Sequence, residues 1–168
     1  GLLPVIGESK QAAQDKYLKM QEMLDETTAL ERIVRFFGDL SGTDLDRPLP
    51  DLRTDIPMVS RGQLEFDAAR RNNWTIRQFM REMAISHSHN VAVGTPADIV
   101  DSMEHWFTQG AADGFNILPA LSPGDVYDFV DKVVPEMQRR GLFRTAYEGR
   151  TLRENLGLRP IRSIRAAR

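Results

Sequence analysis

Apolar residues along this chain alternate between short strand-like runs and longer stretches with helical spacing. The first run, Leu2 to Ile6, is closed by Gly7 and predicts a strand. After Ser9, a good N-cap, apolar positions recur every three or four residues and predict a helix. A second helical piece is predicted from Thr28 to Phe37, with Gly38 as its stop.

The middle of the chain has a different composition and does not continue the alternation of strands and helices. Residues 41–57 are rich in Gly, Pro and Asp, which predicts a loop longer than most connections. Two amphipathic helices are predicted to follow, from about Arg61 to Asn72 and from about Thr75 to Ile85. A long loop followed by a helical hairpin is typical of an insertion that covers a site or joins subunits.

The strand and helix alternation resumes after this insertion. Val91 to Val93 predicts a compact strand, and Thr95 caps a helix with Pro96 at its first position. Gly110 ends that helix, and Phe115 to Leu118 predicts a further strand.

A last long helix is predicted between Pro123 and Gly141. Pro135 lies inside it and is expected to bend it, because proline removes one backbone hydrogen bond. The helix carries the apolar residues Val126, Phe129, Val130, Val133, Val134 and Met137.

The order of elements predicts a parallel α/β architecture. Three short strands are too few for a sheet buried on both faces, so we expect an incomplete chain. We divide it into residues 1–38 (first strand and following helices), 39–88 (loop and helical insertion), 89–140 (second strand to last helix) and 141–168 (basic tail).

Composition limits the possible functions. With 41% apolar and 27% charged residues the chain is globular, and without cysteine it has neither disulfides nor thiolate metal sites. The absence of cysteine fits a cytoplasmic protein. No apolar run is long enough to span a membrane, and the first seven residues lack the features of a signal peptide.

The net charge of −2 conceals an uneven distribution. Residues 139–168 contain nine arginines and two glutamates, a balance of +7, so the rest of the chain carries −9. A basic tail is typical of nucleic-acid or membrane contacts, but also of a solvated terminus or one paired with an acidic surface of its own protein. Because residues 148–168 of this tail contain no aromatic residue that could stack on bases, we favour the second group and predict neither a nucleic-acid nor a membrane partner.

Three segments resemble one known family. They are Gly94-Thr-Pro96 with the following helix and Gly110-Ala-Ala-Asp-Gly-Phe-Asn-Ile-Leu-Pro119, then residues 129–144, and then residues 147–157. Their sequences are similar to those of the nitrilotriacetate and dibenzothiophene-sulfone monooxygenases. These are flavin-dependent enzymes of the bacterial luciferase-like family. The opening residues 1–7 resemble the sixth barrel strand of that family.

The resemblance implies that the chain is the C-terminal part, about strands six to eight with a helical insertion, of a TIM (β/α)8 barrel. It implies a two-component monooxygenase that takes reduced FMN from a separate NAD(P)H:flavin reductase. With dioxygen the enzyme would oxidise and cleave C–N or C–S bonds in small organic substrates. The family also implies a homo-oligomer, and FMN contacts mainly upstream of Gly1.

In a TIM barrel the active site lies at the carboxyl ends of the strands. For strand eight this end is Asn116 to Pro119, so we expect these residues to face flavin or substrate. Asn116 would offer an amide, and Leu118 and Pro119 an apolar wall. The alternative is that Phe115 and Ile117 fill the barrel interior or the helix layer, while Asn116 forms hydrogen bonds with backbone groups there.

Other candidate residues favour structural roles. His87 and His89 precede strand seven, at the rim away from the chemistry, and His105 lies on a helix; we predict no metal site. Gly94 to Pro96 could aim helix N–H groups at an anion, but a strand-to-helix turn is the simpler reading. Asp98, Asp101 and Glu104 have the pattern of a solvated helix face. We assign no catalytic residue.

Two further functions stay open. The amphipathic helices and basic tail also fit a non-enzymatic helical interaction module. A nucleic-acid binder that uses residues 159–168 is a third possibility.

Overall fold

A computed structural model describes residues 1–40, 42–50 and 60–159 of the chain. The predicted helices and first two strands are confirmed, with small shifts in their bounds. In chain order the elements are β1 (Leu2–Ile6), α1 (Lys10–Glu22), α2 (Glu26–Phe37), α3 (Ser60–Arg71), α4 (Ile76–Ser86), β2 (Asn90–Gly94), α5 (Pro96–Thr108), α6 (Gly124–Asp128), a π-helical turn (Phe129–Val133), α7 (Val134–Arg139) and α8 (Leu152–Asn155).

The two strands form a parallel pair. Leu2 is level with Asn90 and Ile6 with Gly94, and beyond the last pair the Gly7 amide donates to the Gly94 carbonyl at 3.0 Å. Every residue of β1 is buried, whereas β2 is only partly buried. A strand buried throughout needs a partner on each edge, which makes β1 the central strand.

The predicted third strand is reduced to a single bridge on the other edge of β1. The Leu2 amide donates to the Asn116 carbonyl and the Leu118 amide donates to the Leu2 carbonyl, both at 2.9 Å. In a parallel ladder alternate residues face the same neighbour, so the next β1 residue on this edge is Pro4. Proline has no N–H to donate, and the ladder ends there.

Helices cover both faces of this small sheet. The face toward α1 and α4 carries Leu3, Val5, Val91, Val93, Leu118 and Ala120, packed against Tyr17, Met20 and Ile85. The face toward α5 and α7 carries Leu2, Ile6, Ala92, Phe115 and Ile117, packed against Ile99, Val100, Met103, Phe129, Val133 and Met137. The α/β class with parallel strands is therefore present, but Ile117 lies beside β1 instead of beside β2, where a strand following β2 in a barrel would pair.

The predicted insertion has a hydrophobic core of its own. Phe79 of α4 is buried, and its ring meets that of Phe37 edge-on at a centroid distance of 5.7 Å. The buried members of this cluster are Ala29, Ile33, Leu40, Leu49, Phe66, Ala69, Ile76, Phe79, Met80, Met83 and Ala84. Since Ala29 and Ile33 belong to α2, that helix packs with the insertion. The boundaries at residues 38, 88 and 140 stay predictions, and part of the predicted loop, Ser41 and residues 51–57, lies outside the described residues.

The last predicted helix is divided into three segments. Before Pro135 the helix widens into the π-helical turn, in which the Val134 amide donates to the Phe129 carbonyl five residues back. Phe129 and Val133 face the core, but Val130 is 52% exposed and Val126 40% exposed. A π turn carries more residues per turn than an α-helix, and this displaces the Val130 side chain from the core face.

Arg139 and Arg140, which lie at the end of α7 and just before the basic tail, pair with acidic residues of the same chain. Arg140 donates to Asp101 at 2.5 Å, to Glu104 at 3.2 Å and to Glu136 at 2.7 Å. Asp101 and Glu104 are thus ion-paired on a solvent-exposed helix face, since their side chains are 63% and 41% exposed. Residues 160–168 lie outside the described residues. Within the described ranges, no helix has the length and apolar character to cross a membrane.

Candidate functional site

A cavity of about 570 Å3 lies on the sheet face covered by α1 and α4. Its walls are mostly apolar, with a serine and two histidines at one side. The lining residues are Leu3, Met20, Met23, Leu24, Ala84, Ile85, Ser86, His87, His89, Leu118, Pro119, Ala120 and Leu121. This size and composition are typical of a site for a small organic molecule.

The three residues expected to face a ligand are separated by the structure. Leu118 and Pro119 line the cavity, whereas Asn116 does not and has an exposed side chain. The Asn116 carbonyl accepts a hydrogen bond from the Leu2 amide, so the backbone of Asn116 takes part in the hydrogen bonding of the sheet. A binding role for Asn116, Leu118 and Pro119 stays a prediction. The geometry supports that role for Leu118 and Pro119, which line the cavity.

The segment that carries Leu118 to Leu121 is held at both ends. At its start the Leu118 amide is bonded to β1. At its end the Leu121 amide donates to the Asp125 carboxylate at 2.8 Å, and the Asp125 amide donates back to the Leu121 carbonyl at 2.8 Å. This reciprocal pair closes the turn that leads into α6 and fixes the cavity wall.

The histidines lie close to the predicted pocket residues. His87 and His89 line the same cavity as Leu118 and Pro119, although the barrel rule assigned them to opposite rims. His87 ends α4 in a left-handed conformation with φ 46°, and its Nδ1 lies 3.0 Å from a guanidinium nitrogen of Arg32. The described residues contain no cluster of three His, Cys, Asp or Glu that could hold a metal ion.

A partly buried phenol–carboxylate pair joins α1 to the insertion. Tyr17 donates to Glu82 of α4, and burial together with that carboxylate raises the pKa of Tyr17 well above its ordinary value. Tyr17 therefore stays protonated and works as a hydrogen-bond donor. Helical spacing marked Tyr17 only as an apolar position, and no local pattern identifies a partner 65 residues away.

Gly94 to Pro96, at the other end of β2, forms a strand-to-helix turn. The Thr95 hydroxyl accepts the Asp98 amide while the Asp98 carboxylate accepts the Thr95 amide, a complete capping box for α5. Lys10 adds an ion pair to Asp98 at 3.1 Å. Asp98 thus caps the helix from its first turn, where an acidic residue is favoured, and its side chain is 24% exposed.

The capping box of α5 makes the free energy of unfolding depend on pH. Hydrogen bonds from Thr95, supported by Lys10, lower the pKa of Asp98 to about 2. A depressed carboxyl pKa stabilises the fold above the unfolded value near 4, and this contribution disappears as the pH falls toward 2. We expect Asp98→Asn to lower the free energy of unfolding by about 1 kcal/mol at neutral pH and by clearly less at pH 2.

Urea titrations of the full-length gene product and of its Asp98→Asn variant at several pH values measure this difference. Glu136, whose pKa is also lowered to about 2 by Arg139 and Arg140, contributes equally to both proteins and cancels. A difference between the two proteins that is the same at pH 7 and pH 2 would contradict the assigned role of Asp98.

Comparison with known proteins adds a separate line of evidence. No family model matches the chain. It is 42% identical over 162 residues to the N-acetyl-S-(2-succino)cysteine monooxygenase of Bacillus subtilis (strain 168), which covers 94% of the chain and 37% of that protein. It is 41% identical over 171 residues to nitrilotriacetate monooxygenase component A of Aminobacter aminovorans, which covers 98% of the chain and 37% of that protein.

Solved structures are similar over the same extent. The crystal structure of DmoA from Hyphomicrobium sulfonivorans superposes with a TM-score of 0.73 and 31% identity, covering 92% of the chain and 32% of DmoA. The structure of riboflavin lyase (RcaE) with a modified FMN and riboflavin has a TM-score of 0.61 and 25% identity, covering 93% of the chain and 34% of that protein. The chain spans about 37% of the length of the curated relatives.

Proposed function

Because this chain belongs to the luciferase-like flavin-dependent monooxygenases and matches their C-terminal part, we propose that it completes the barrel of an FMNH2-dependent two-component monooxygenase. The enzyme would use dioxygen to oxidise and cleave C–N or C–S bonds in small organic substrates. The observation that carries this proposal is the match, over nearly the whole chain, to proteins named as monooxygenases.

The fold supports the same proposal. The structural neighbours are TIM-barrel monooxygenases of which the chain covers about a third, so the predicted partial barrel is confirmed. In such an enzyme most of the catalytic and FMN-binding residues would lie in the two thirds that have no counterpart here. We therefore assign to this chain one wall of the substrate or flavin pocket.

The end of residues 115–118 fits that limited role, because it is the carboxyl end of the last predicted barrel strand. Leu118 and Pro119 present an apolar surface there, suited to one face of a flavin ring or to an organic substrate. Reduced FMN, when bound, would supply the electrons that activate dioxygen. The residues of this chain would orient the bound molecule and keep water from it, while the phosphate would be held elsewhere in the barrel.

The partners follow from the two-component scheme. The relative from Aminobacter is named as a component A, which implies a second component. We propose that the partner is an NAD(P)H:flavin reductase that delivers reduced FMN transiently, and that the monooxygenase is a homo-oligomer. A cytoplasmic location stays a prediction from the absence of cysteine.

An activity assay of the full-length gene product tests the function. We expect oxygen consumption and product formation with nitrilotriacetate, dibenzothiophene sulfone or N-acetyl-S-(2-succino)cysteine, only when FMN, NADH and a flavin reductase are all present. Omitting the reductase while adding oxidised FMN is the control. Failure to bind reduced FMN, with no turnover of any substrate, would contradict the proposal.

One observation bears on the alternative of a basic interaction module. The arginines at positions 139 and 140 are already paired with carboxylates of the same chain. These two of the nine arginines are therefore paired within the chain, and the enzyme stays the function with the better support.

A further inference from the structure

Residues 145–159, here called the leucine arm, are held in shape by polar contacts and include no buried residue. The Asn155 side chain accepts the Gly149 amide at 2.9 Å and donates to the Gly149 carbonyl at 3.1 Å. The Thr151 hydroxyl accepts the Glu154 amide while the Glu154 carboxylate accepts the Thr151 amide, a capping box for α8. The arm therefore has a defined shape without a hydrophobic core of its own.

The leucine arm presents large apolar side chains to solvent. Leu152 and Leu156 are four residues apart around α8, and they are 75% and 61% exposed. Tyr147 and Leu158, on either side of them in the sequence, are exposed as well. A shaped segment that exposes several large apolar side chains is typical of a surface that contacts another protein surface.

A groove of about 500 Å3 between α5 and α7 has a complementary character. Its apolar walls include Met103 and Phe107 of α5 and Met137 of α7, and Phe107 is 55% exposed. Two carboxylates, Glu104 and Asp113, also line it. Glu104 is already paired within the chain, whereas Asp113 has no ion-pair partner among the described residues. Apolar walls with carboxylates beside them fit an apolar segment that carries arginines.

The leucine arm does not fill the groove of its own chain. No residue of the arm lines the groove, but Leu142, Phe143 and Arg144, which lead into the arm, do. The arm thus starts at the edge of the groove and leaves its leucines exposed to solvent. Two copies related by a twofold axis can each place the arm in the groove of the other copy, and both apolar surfaces are then buried together.

We propose that the leucine arm is exchanged between two copies of this chain, with Leu152 and Leu156 lying in the groove between α5 and α7 of the other copy. The proposal rests on the homo-oligomer of the proposed function and names its interface. Residues 139–168 have a charge balance of +7 and the rest of the chain −9, so the two surfaces are complementary in charge as well. The proposal concerns assembly and places no substrate in the groove.

Sedimentation velocity of the full-length gene product over a dilution series tests the interface. The arm variant Leu152→Asp/Leu156→Asp and the groove variant Phe107→Asp each place a charge in the proposed contact. We expect each to raise the dissociation constant of the assembly by about thirtyfold or more, because a buried apolar anchor of the contact is lost. Leu64→Asp is the matched control: Leu64 is 67% exposed on α3, outside the groove, and its variant should associate like the wild type.

Mixing the two variants tests the exchange itself. In a mixed pair one contact joins an intact arm to an intact groove, while the other contact carries both defects. We therefore expect differently labelled arm and groove variants to associate with each other more tightly than either associates with itself. Association that stays equally weak in the mixture overturns the proposal, and so does equal weakening by Leu64→Asp.

Gly114→Phe guards against a groove variant that fails to fold. Gly114 lines the groove, and among the described residues an added Cβ there meets no neighbouring atom within 4 Å. A phenylalanine ring can therefore occupy the groove without displacing the core, and we expect it to weaken association as Phe107→Asp does. Association of Gly114→Phe as tight as that of the wild type overturns the assignment of the groove.

Two further measurements separate this proposal from its alternatives. If the arm packs on the upstream part of its own chain, the arm variant has a lower thermal unfolding midpoint but unchanged association, which overturns the proposal. Turnover with a flavin reductase is measured on the same preparations. A monomeric wild type that converts substrate overturns arm exchange and leaves the proposed monooxygenase intact, whereas an arm-dependent dimer without turnover supports arm exchange and contradicts the proposed activity.

Discussion

Replacing Phe79 with alanine is expected to lower the free energy of unfolding of the full-length gene product by about 3–5 kcal/mol. The ring is 2% exposed, at the centre of the cluster formed by α2, α3 and α4. Alanine removes the apolar contacts, leaves a cavity, and breaks the edge-on contact with Phe37. Urea-induced unfolding followed by circular dichroism measures the loss.

Leu64→Ala is the control for this experiment. Leu64 lies on α3 but is 67% exposed, so its truncation should change the free energy of unfolding by no more than about 0.5 kcal/mol. If Phe79→Ala were as stable as Leu64→Ala, the insertion would lack the packed core described above.

Residues 1–168 expressed alone are expected to show no saturable binding of reduced FMN and to be marginally folded or aggregated. The described sheet has one two-stranded ladder and a single bridge, fewer pairings than an independently stable sheet needs. Large apolar side chains are also exposed on the helices, including Phe107 at 55%, Tyr127 at 62% and Val130 at 52%. Such exposed apolar side chains favour aggregation of the isolated chain.

Anaerobic titration with reduced FMN, together with size-exclusion chromatography, measures both parts of this prediction. The full-length gene product, treated identically, is the positive control and should bind the flavin. Tight one-to-one binding by residues 1–168 would show that the flavin site is contained in them, and the assignment of the chain to one wall of the pocket would be lost.

Features with local causes were predictable from the sequence. Helix α5 is an example, because Thr95, Pro96 and Asp98 encode its start within four residues. The π-helical turn was not predictable from the same kind of pattern. Pro135 indicated a disturbance, but whether the helix bends or widens depends on how Phe129 and Val133 pack against the sheet.

The third strand and the cavity depend on contacts between distant residues. Residues 115–118 have a strand pattern, yet the ladder is limited by Pro4, more than 100 residues earlier. The TIM-barrel rule predicted that His87 and Leu118 lie at opposite ends of the barrel, because His87 precedes one strand and Leu118 ends another. Their meeting in one cavity follows from the bridge to β1, which brings residues 118–121 alongside the start of that strand.

The π-helical turn has a consequence for how sequences of this kind should be aligned. Closing a hydrogen-bonded ring over five residues instead of four accommodates one extra amino acid without moving either end of the helix. A relative with an uninterrupted α-helix here should therefore need a one-residue gap between positions 128 and 134. Without that gap, Val133 and Met137 would be matched to solvent-facing positions, and similarity in the last third of the chain would be underestimated.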